Sequence, residues 1–235
     1  MIICMKINII FFILYFVSSV KMREPVYYVS QVNNWDDRPN NIEVTPLKND
    51  HYFRPVSNEW KKNKCQSLGL QFNEIIFRSY DNDIYLNNTL PKILTIPSLT
   101  YDVDQKNNCI FEALSLAICG NKSYFKQIRG KVLDNLKNSK ELKNFLGSER
   151  RFKNYLLLKN NGNLVDDYGS VTEVLATAEY LDVCIYVYVV EYKQWVLHRK
   201  DWPNYESINM KSENCIYLKF CNQSAYVVTA ISIFF

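Results

Sequence analysis

Asn107-Asn108-Cys109-Ile110-Phe111-Glu112-Ala113-Leu114-Ser115-Leu116-Ala117-Ile118-Cys119-Gly120 is the stretch on which the fold turns. Two asparagines suited to a helix N-cap stand ahead of Ile110, Ala113, Leu114, Ala117 and Ile118, which recur at helical spacing until Gly120 stops the pattern. This predicts an amphipathic helix with Cys109 in its first turn. Next along the chain, a second helix starts near Ser123, with Phe125, Ile128, Val132 and Leu136 as its apolar stripe. Shorter helical pieces follow from about Glu141 to Leu146 and from Glu149 to Leu158, and Asn160-Asn161-Gly162-Asn163 reads as a turn. Ser170-Val171-Thr172-Glu173 is a capping box, and Val174, Leu175, Ala178 and Leu181 continue the face of Val171, so a helix is expected from about 171 to 181.

After that helix the period changes. Cys184 to Val190, Gln194 to His198, Cys215 to Phe220 and Ala225 to Ile231 are rich in β-branched and aromatic residues and are separated by polar turns. Helices followed by strands predict an α+β domain with a largely segregated sheet. Before residue 100 the texture differs: Pro25, Pro39, Pro46, Pro55, Pro91 and Pro97 are all but one of the seven prolines. Proline at that density argues for loops and short strands, such as Ile75-Ile76-Phe77 and Lys92 to Ile96, with Trp60, Leu68, Leu70 and Phe72 available to dock the segment onto a core. The expected division is 1–20 as a leader or anchor segment, 21–94 as a proline-rich extension and 95–232 as the main domain.

Composition narrows the function. A chain of 235 residues, 48% hydrophobic and 22% charged, has enough material for one core and is neither disordered nor collagen-like. The net charge of +4, with bases interleaved among acids, argues against nucleic acid as a partner. Residues 1–20 have one lysine, an apolar run from Ile9 to Val17 and the small pair Ser18-Ser19. Three readings stand for them: a cleaved secretory signal, an uncleaved anchor that would be the chain's only membrane contact, or a leader upstream of a true start at Met22. The first two place the protein in the secretory pathway, the third in the cytoplasm.

Of the seven cysteines, six lie beyond that segment, with no CxxC and no regular spacing, most in apolar patterns where a free thiol acts as a small hydrophobe. His51 and His198 are the only histidines and neither has a ligand at metal spacing, so no metal site and no cofactor is expected. Sequons at Asn87, Asn121 and Asn222 would be usable in a secreted chain.

Chemistry concentrates at Cys109. At a helix start the unsatisfied N–H groups and the positive end of the dipole favour thiolate over thiol, which predicts a pKa below the ~8.5 of a free cysteine. The plain alternative is a buried small residue. Five motifs bear on the choice: Asn107-Asn108-Cys109-Ile110-Phe111-Glu112-Ala113-Leu114-Ser115, Ile128-Arg129, Tyr168-Gly169-Ser170-Val171-Thr172-Glu173, the strand Ile185-Tyr186-Val187-Tyr188, and the closing Tyr226-Val227-Val228. In order and spacing they resemble the ovarian-tumour (OTU) family of papain-like cysteine proteases, over roughly residues 95 to 232.

The resemblance implies an α+β fold of helices packed on a small, mostly antiparallel sheet, and a deubiquitinase in which a thiolate attacks the C-terminal glycine carbonyl of ubiquitin. It assigns Cys109 as nucleophile, Lys106, Asn107 and Asn108 as the oxyanion loop, and ubiquitin or a ubiquitin-like protein as partner. This chain departs from the pattern at three places. Lys106 stands where the family has an aspartate, Tyr168-Gly169 replaces Trp-Gly, and Ser224-Ala225-Tyr226 puts Ala225, or with a one-residue shift Ser224, at the position of the catalytic histidine. Val227 stands where the polar residue that orients the histidine would follow. Neither alanine nor serine can take the thiol proton near neutral pH, so the expectation is a pseudoenzyme or a very weak protease. The two histidines are expected elsewhere: His198 exposed or partly packed on a strand, His51 in a surface loop.

Overall fold

A computed structural model describes residues 24–32, 42–74, 92–103, 108–145, 149–160, 171–202, 205 and 210–232. The early elements are β1 (Val26–Val32), β2 (Ile42–Pro46), β3 (Tyr52–Phe53), α1 (Asn58–Ser67), β4 (Lys92–Ile93) and β5 (Pro97–Asp102). The helical region holds α2 (Cys109–Cys119), a 3-10 turn at Lys122–Tyr124, α3 (Phe125–Leu136), α4 (Lys140–Phe145), α5 (Glu149–Asn160) and α6 (Val171–Leu181). The last strands are β6 (Cys184–Val189), β7 (Gln194–His198), β8 (Cys215–Cys221) and β9 (Ser224–Ile231).

One seven-stranded sheet in the order β2-β1-β7-β6-β8-β9-β5 organises the molecule, and β3 and β4 form a separate pair. Pairing is antiparallel except at β1 with β7 and at β6 with β8. The class is α+β, as expected, but the sheet is less segregated than the order of signals suggests. Three of its strands, β1, β2 and β5, precede α2, and β1 and β2 come from the proline-rich stretch.

Side-chain alternation along the strands sorts the core into two layers. Ile185 and Val187 of β6, Ile216 and Leu218 of β8 and Ala225 and Val227 of β9 face the helices. Tyr186, Tyr188, Trp195, Leu197 and Tyr217 fill the opposite face, where Tyr186 and Tyr217 stack with centroids 5.2 Å apart. Trp195 turns edge-on to both rings, and its indole N–H donates to the Thr95 carbonyl over 3.0 Å, which satisfies its one buried donor.

The proline argument misses α1. Its prolines flank the helix and do not interrupt it: the Ser57 hydroxyl accepts from the Trp60 N–H at 3.1 Å as N-cap, and Glu59 sits in the first turn, where the dipole favours a negative charge. Leu68 is buried, with Trp60, Leu70 and Phe72 packed part-buried against the same core, so these residues do dock the segment. Lys92 to Ile96 is strand only at Lys92–Ile93. Ile75-Ile76-Phe77, the turn from Asn161 on, Ser170 of the capping box and residues 1–20 lie outside the described residues. Among the described residues no helix is long and apolar enough to cross a membrane.

Helix α2 is central, not amphipathic: all 11 of its residues are buried, Glu112 and Ser115 included. Gly120 closes it with φ 67°, a left-handed conformation that a side chain would strain, and its N–H reaches the Leu116 carbonyl at 2.9 Å. Cysteine spacing also misled. Cys184 and Cys215 are directly opposed on the parallel pair β6 and β8, with Cα atoms 4.7 Å apart, and form a disulfide. Two cysteines 31 positions apart in sequence become neighbours only once the strand register is known.

Candidate active site

Cys109 opens α2, and Asn108 before it takes the N-cap position with φ 62° and ψ 18°. Asparagine is among the few residues that tolerate this left-handed backbone. Its side chain makes no capping bond to the helix. Instead its Oδ1 accepts from Nη1 of Arg129 at 2.8 Å, and Arg129 Nε lies 3.3 Å from Oε1 of the fully buried Glu173. The guanidinium also sits over the Phe111 ring at 5.9 Å. A cation on α3 and a carboxylate on α6 therefore fix the residue that sets the helix start. Arg129 and Glu173 are both in the motifs quoted above, but their sequence separation hides the pairing.

The wall opposite Cys109 is the hairpin of β8 and β9. Asn222 (φ 47°) and Gln223 (φ 65°) make the two-residue turn, both in the left-handed region that such hairpins require. The Asn222 N–H donates to the Glu191 carboxylate at 2.8 Å, tying the hairpin turn to the 3-10 turn Val190–Tyr192 that follows β6. Cys109 Sγ donates to the Gln223 carbonyl at 3.4 Å, and Ala225, 1% exposed, follows two residues later with its backbone beside the thiol. The structure thus brings together Cys109, Asn108 and Ala225. Lys106 and Asn107 lie outside the described residues.

This geometry reverses the expected acidity. Cys109 is 0% exposed, and burial pushes its thiol up to about 11, against the Ile110 and Ala225 backbone groups that favour the thiolate; Glu112 adds to the rise. A helix start is present, but no water reaches the sulfur.

Both histidine expectations are also overturned. His51 is 5% exposed, with Nδ1 in a 2.7 Å hydrogen bond with the Tyr186 hydroxyl on the face of the sheet opposite Cys109. His198 is 2% exposed beside Ile185, its strand partner, and neither of its ring nitrogens makes a hydrogen bond among the described residues. Burial pulls both imidazoles down to about 4, so both are neutral near pH 7. His198 lines a groove of about 610 Å³ with Ile110, Val174, Val187, Val196 and Phe220. That groove is apolar and runs alongside the start of α2.

No protein-family model and no curated protein matches the chain. Solved structures similar to it include the viral OTU domain protease from Farallon virus, at 15% identity and a TM-score of 0.43 over 57% of this chain and 84% of that one. The OTU domain of OTUD1 is similar at 16% identity and a TM-score of 0.40, over 57% and 81%. An ovarian tumour (OTU) domain in complex with ubiquitin is similar at 19% identity and a TM-score of 0.42, over 57% and 73%.

Proposed function

We propose that residues 95–232 are an OTU-type domain that has given up hydrolysis and serves as a binding module for ubiquitin or a ubiquitin-like protein, with 21–94 as an extension that completes the sheet. One observation carries this reading: Ala225 backs the buried Cys109 thiol where a general base would have to stand. Without a base the thiol neither loses its proton nor returns one to the leaving amine, a contribution of ~10²–10⁴-fold. The helix start, the Asn108–Arg129–Glu173 chain and the hairpin wall are the frame such a site would keep.

The test pairs two assays on the full chain. Ubiquitin with a C-terminal electrophile should leave Cys109 unmodified, while unmodified ubiquitin should bind in a titration. Rapid labelling of Cys109 would mean an active protease, and Ala225→His should raise a slow rate if the surrounding geometry survives. A second reading has its own support. The Cys184–Cys215 disulfide fits an oxidising compartment, where the fold would be a scaffold for an unrelated extracellular partner. Absence of ubiquitin binding would favour that reading.

A further inference from the structure

Cys65 on α1 and Cys119 at the end of α2 are both buried, at 1% and 0% exposure, and their Sγ atoms are 2.7 Å apart. Two thiols that do not bond keep their sulfurs farther apart than this. The surrounding backbone is already fastened: the Leu70 N–H donates to the Cys65 carbonyl at 2.8 Å and the Asn73 N–H to the Cys119 carbonyl at 2.7 Å. Cys65 Sγ also lies 3.4 Å from the Ile118 carbonyl, so the thiol is pinned along the last turn of α2.

We propose that Cys65 and Cys119 form a second disulfide, which fastens α1 to the C-terminal end of α2. When it forms, the two thiols release two protons and two electrons as their S–S bond is made. A disulfide of the oxidised glutathione class accepts both as its own S–S bond breaks, leaving two thiols. Neither sulfur is accessible in the folded chain, so the exchange takes place as α1 docks, before the pair is sealed. One cysteine thiolate attacks the glutathione disulfide and releases one glutathione thiol, and the other attacks the mixed disulfide and releases the second. With both bridges made, Cys109 and Cys221 are the free thiols among the described cysteines. The cross-link spans 54 positions against 31 for Cys184–Cys215, so it restrains the unfolded chain more strongly. It does not depend on whether the domain binds ubiquitin.

The full chain, refolded in a buffer of reduced and oxidised glutathione, is quenched in acid, alkylated with iodoacetamide in denaturant, and digested without reduction. A 65–119 linked peptide is expected beside a 184–215 one, with Cys109 and Cys221 carbamidomethylated. Recovery of Cys65 and Cys119 as alkylated peptides overturns the proposal, whatever the state of the other pair. A second measurement uses Cys184→Ala/Cys215→Ala, in which only the proposed bridge can respond to reductant. Dithiothreitol should then lower the melting midpoint by about 10 °C. An unchanged midpoint also overturns it.

Discussion

Helix α2 ends in a buried cysteine on each side, and the two ends are built differently. At Cys109 the neighbours are backbone: the Gln223 carbonyl, the Ala225 peptide, and an N-cap held from outside by Arg129. At Cys119 the neighbour is another thiol, and the last turn is closed by Gly120 and by the Ser115 hydroxyl donating to the Asn121 carbonyl. The N-terminal end has the favourable electric field, yet its thiol is pushed up to about 11. The dipole is worth about 0.3–1 kcal/mol, less than one pK unit, so sealing the sulfur from water outweighs it. Position on a helix is therefore a poor guide to cysteine reactivity until solvent access is known.

The largest expected effects test whether the ends differ in packing as well as chemistry. Ile118 is 0% exposed beside Cys119, and Ile118→Ala should cost about 4 kcal/mol because the space left cannot collapse. Ile110 is 7% exposed and borders the groove, so Ile110→Ala should cost about 2 kcal/mol. Urea unfolding of both variants measures this, and equal losses would mean the Cys109 end is packed as tightly as the other. Arg129→Ala should cost about 3 kcal/mol, since it removes the cation facing a fully buried Glu173 and releases Asn108. Lys137→Ala, at an exposed pair with Asp134, should change the same unfolding curve negligibly. A comparable loss there would show that surface charge, not the N-cap chain, is being measured.

The two ends were not equally legible. Periodicity and caps placed α2, α3 and α6 within a residue or two, because a 3.6-residue pattern needs no knowledge of partners. Cys109 and Ala225 were found as members of ordered motifs, and they do face one another. Burial was not legible. Whether α2 shows one face or none to water depends on how many elements pack around it, and α1, the helix the proline count concealed, is one of them. His198 follows the same logic: strand alternation gives its face, but not that α6 and the start of α2 close over that face. Arg129 and Glu173 are 44 positions apart, so nothing local announces their pairing.

His198 tests the same end of α2 through pH. Its folded pKa, about 4, is below the 6.5 of an unfolded histidine, so the stability it confers is complete above pH 6.5 and is lost as pH falls toward 4. Between those values the unfolded chain takes up a proton the folded chain refuses, a loss of up to about 3 kcal/mol. His198→Leu should flatten that part of the stability curve relative to wild type, leaving the similar contribution of His51. An unchanged slope would mean the groove admits water to the imidazole, and the N-terminal end of α2 would then be less sealed than Cys109 suggests.

The alkaline limb decides the comparison most directly. The Cys109 pKa is raised from 9.0 to about 11, so in the alkaline range the folded chain keeps a proton that the unfolded chain has lost. Stability from this group is therefore complete below about pH 9 and is lost as pH rises to about 11, by about 3 kcal/mol in all. Buried tyrosines also titrate above that range, so the informative quantity is wild type minus Cys109→Ala, which should grow smaller with pH across this window. The rate of Cys109 alkylation by iodoacetamide should rise with the same high midpoint. A midpoint at or below the ~8.5 of a free thiol would show that water and the helix field both reach the sulfur. The two ends of α2 would then differ as an active nucleophile differs from a buried thiol, and the binding-module reading would give way to the protease.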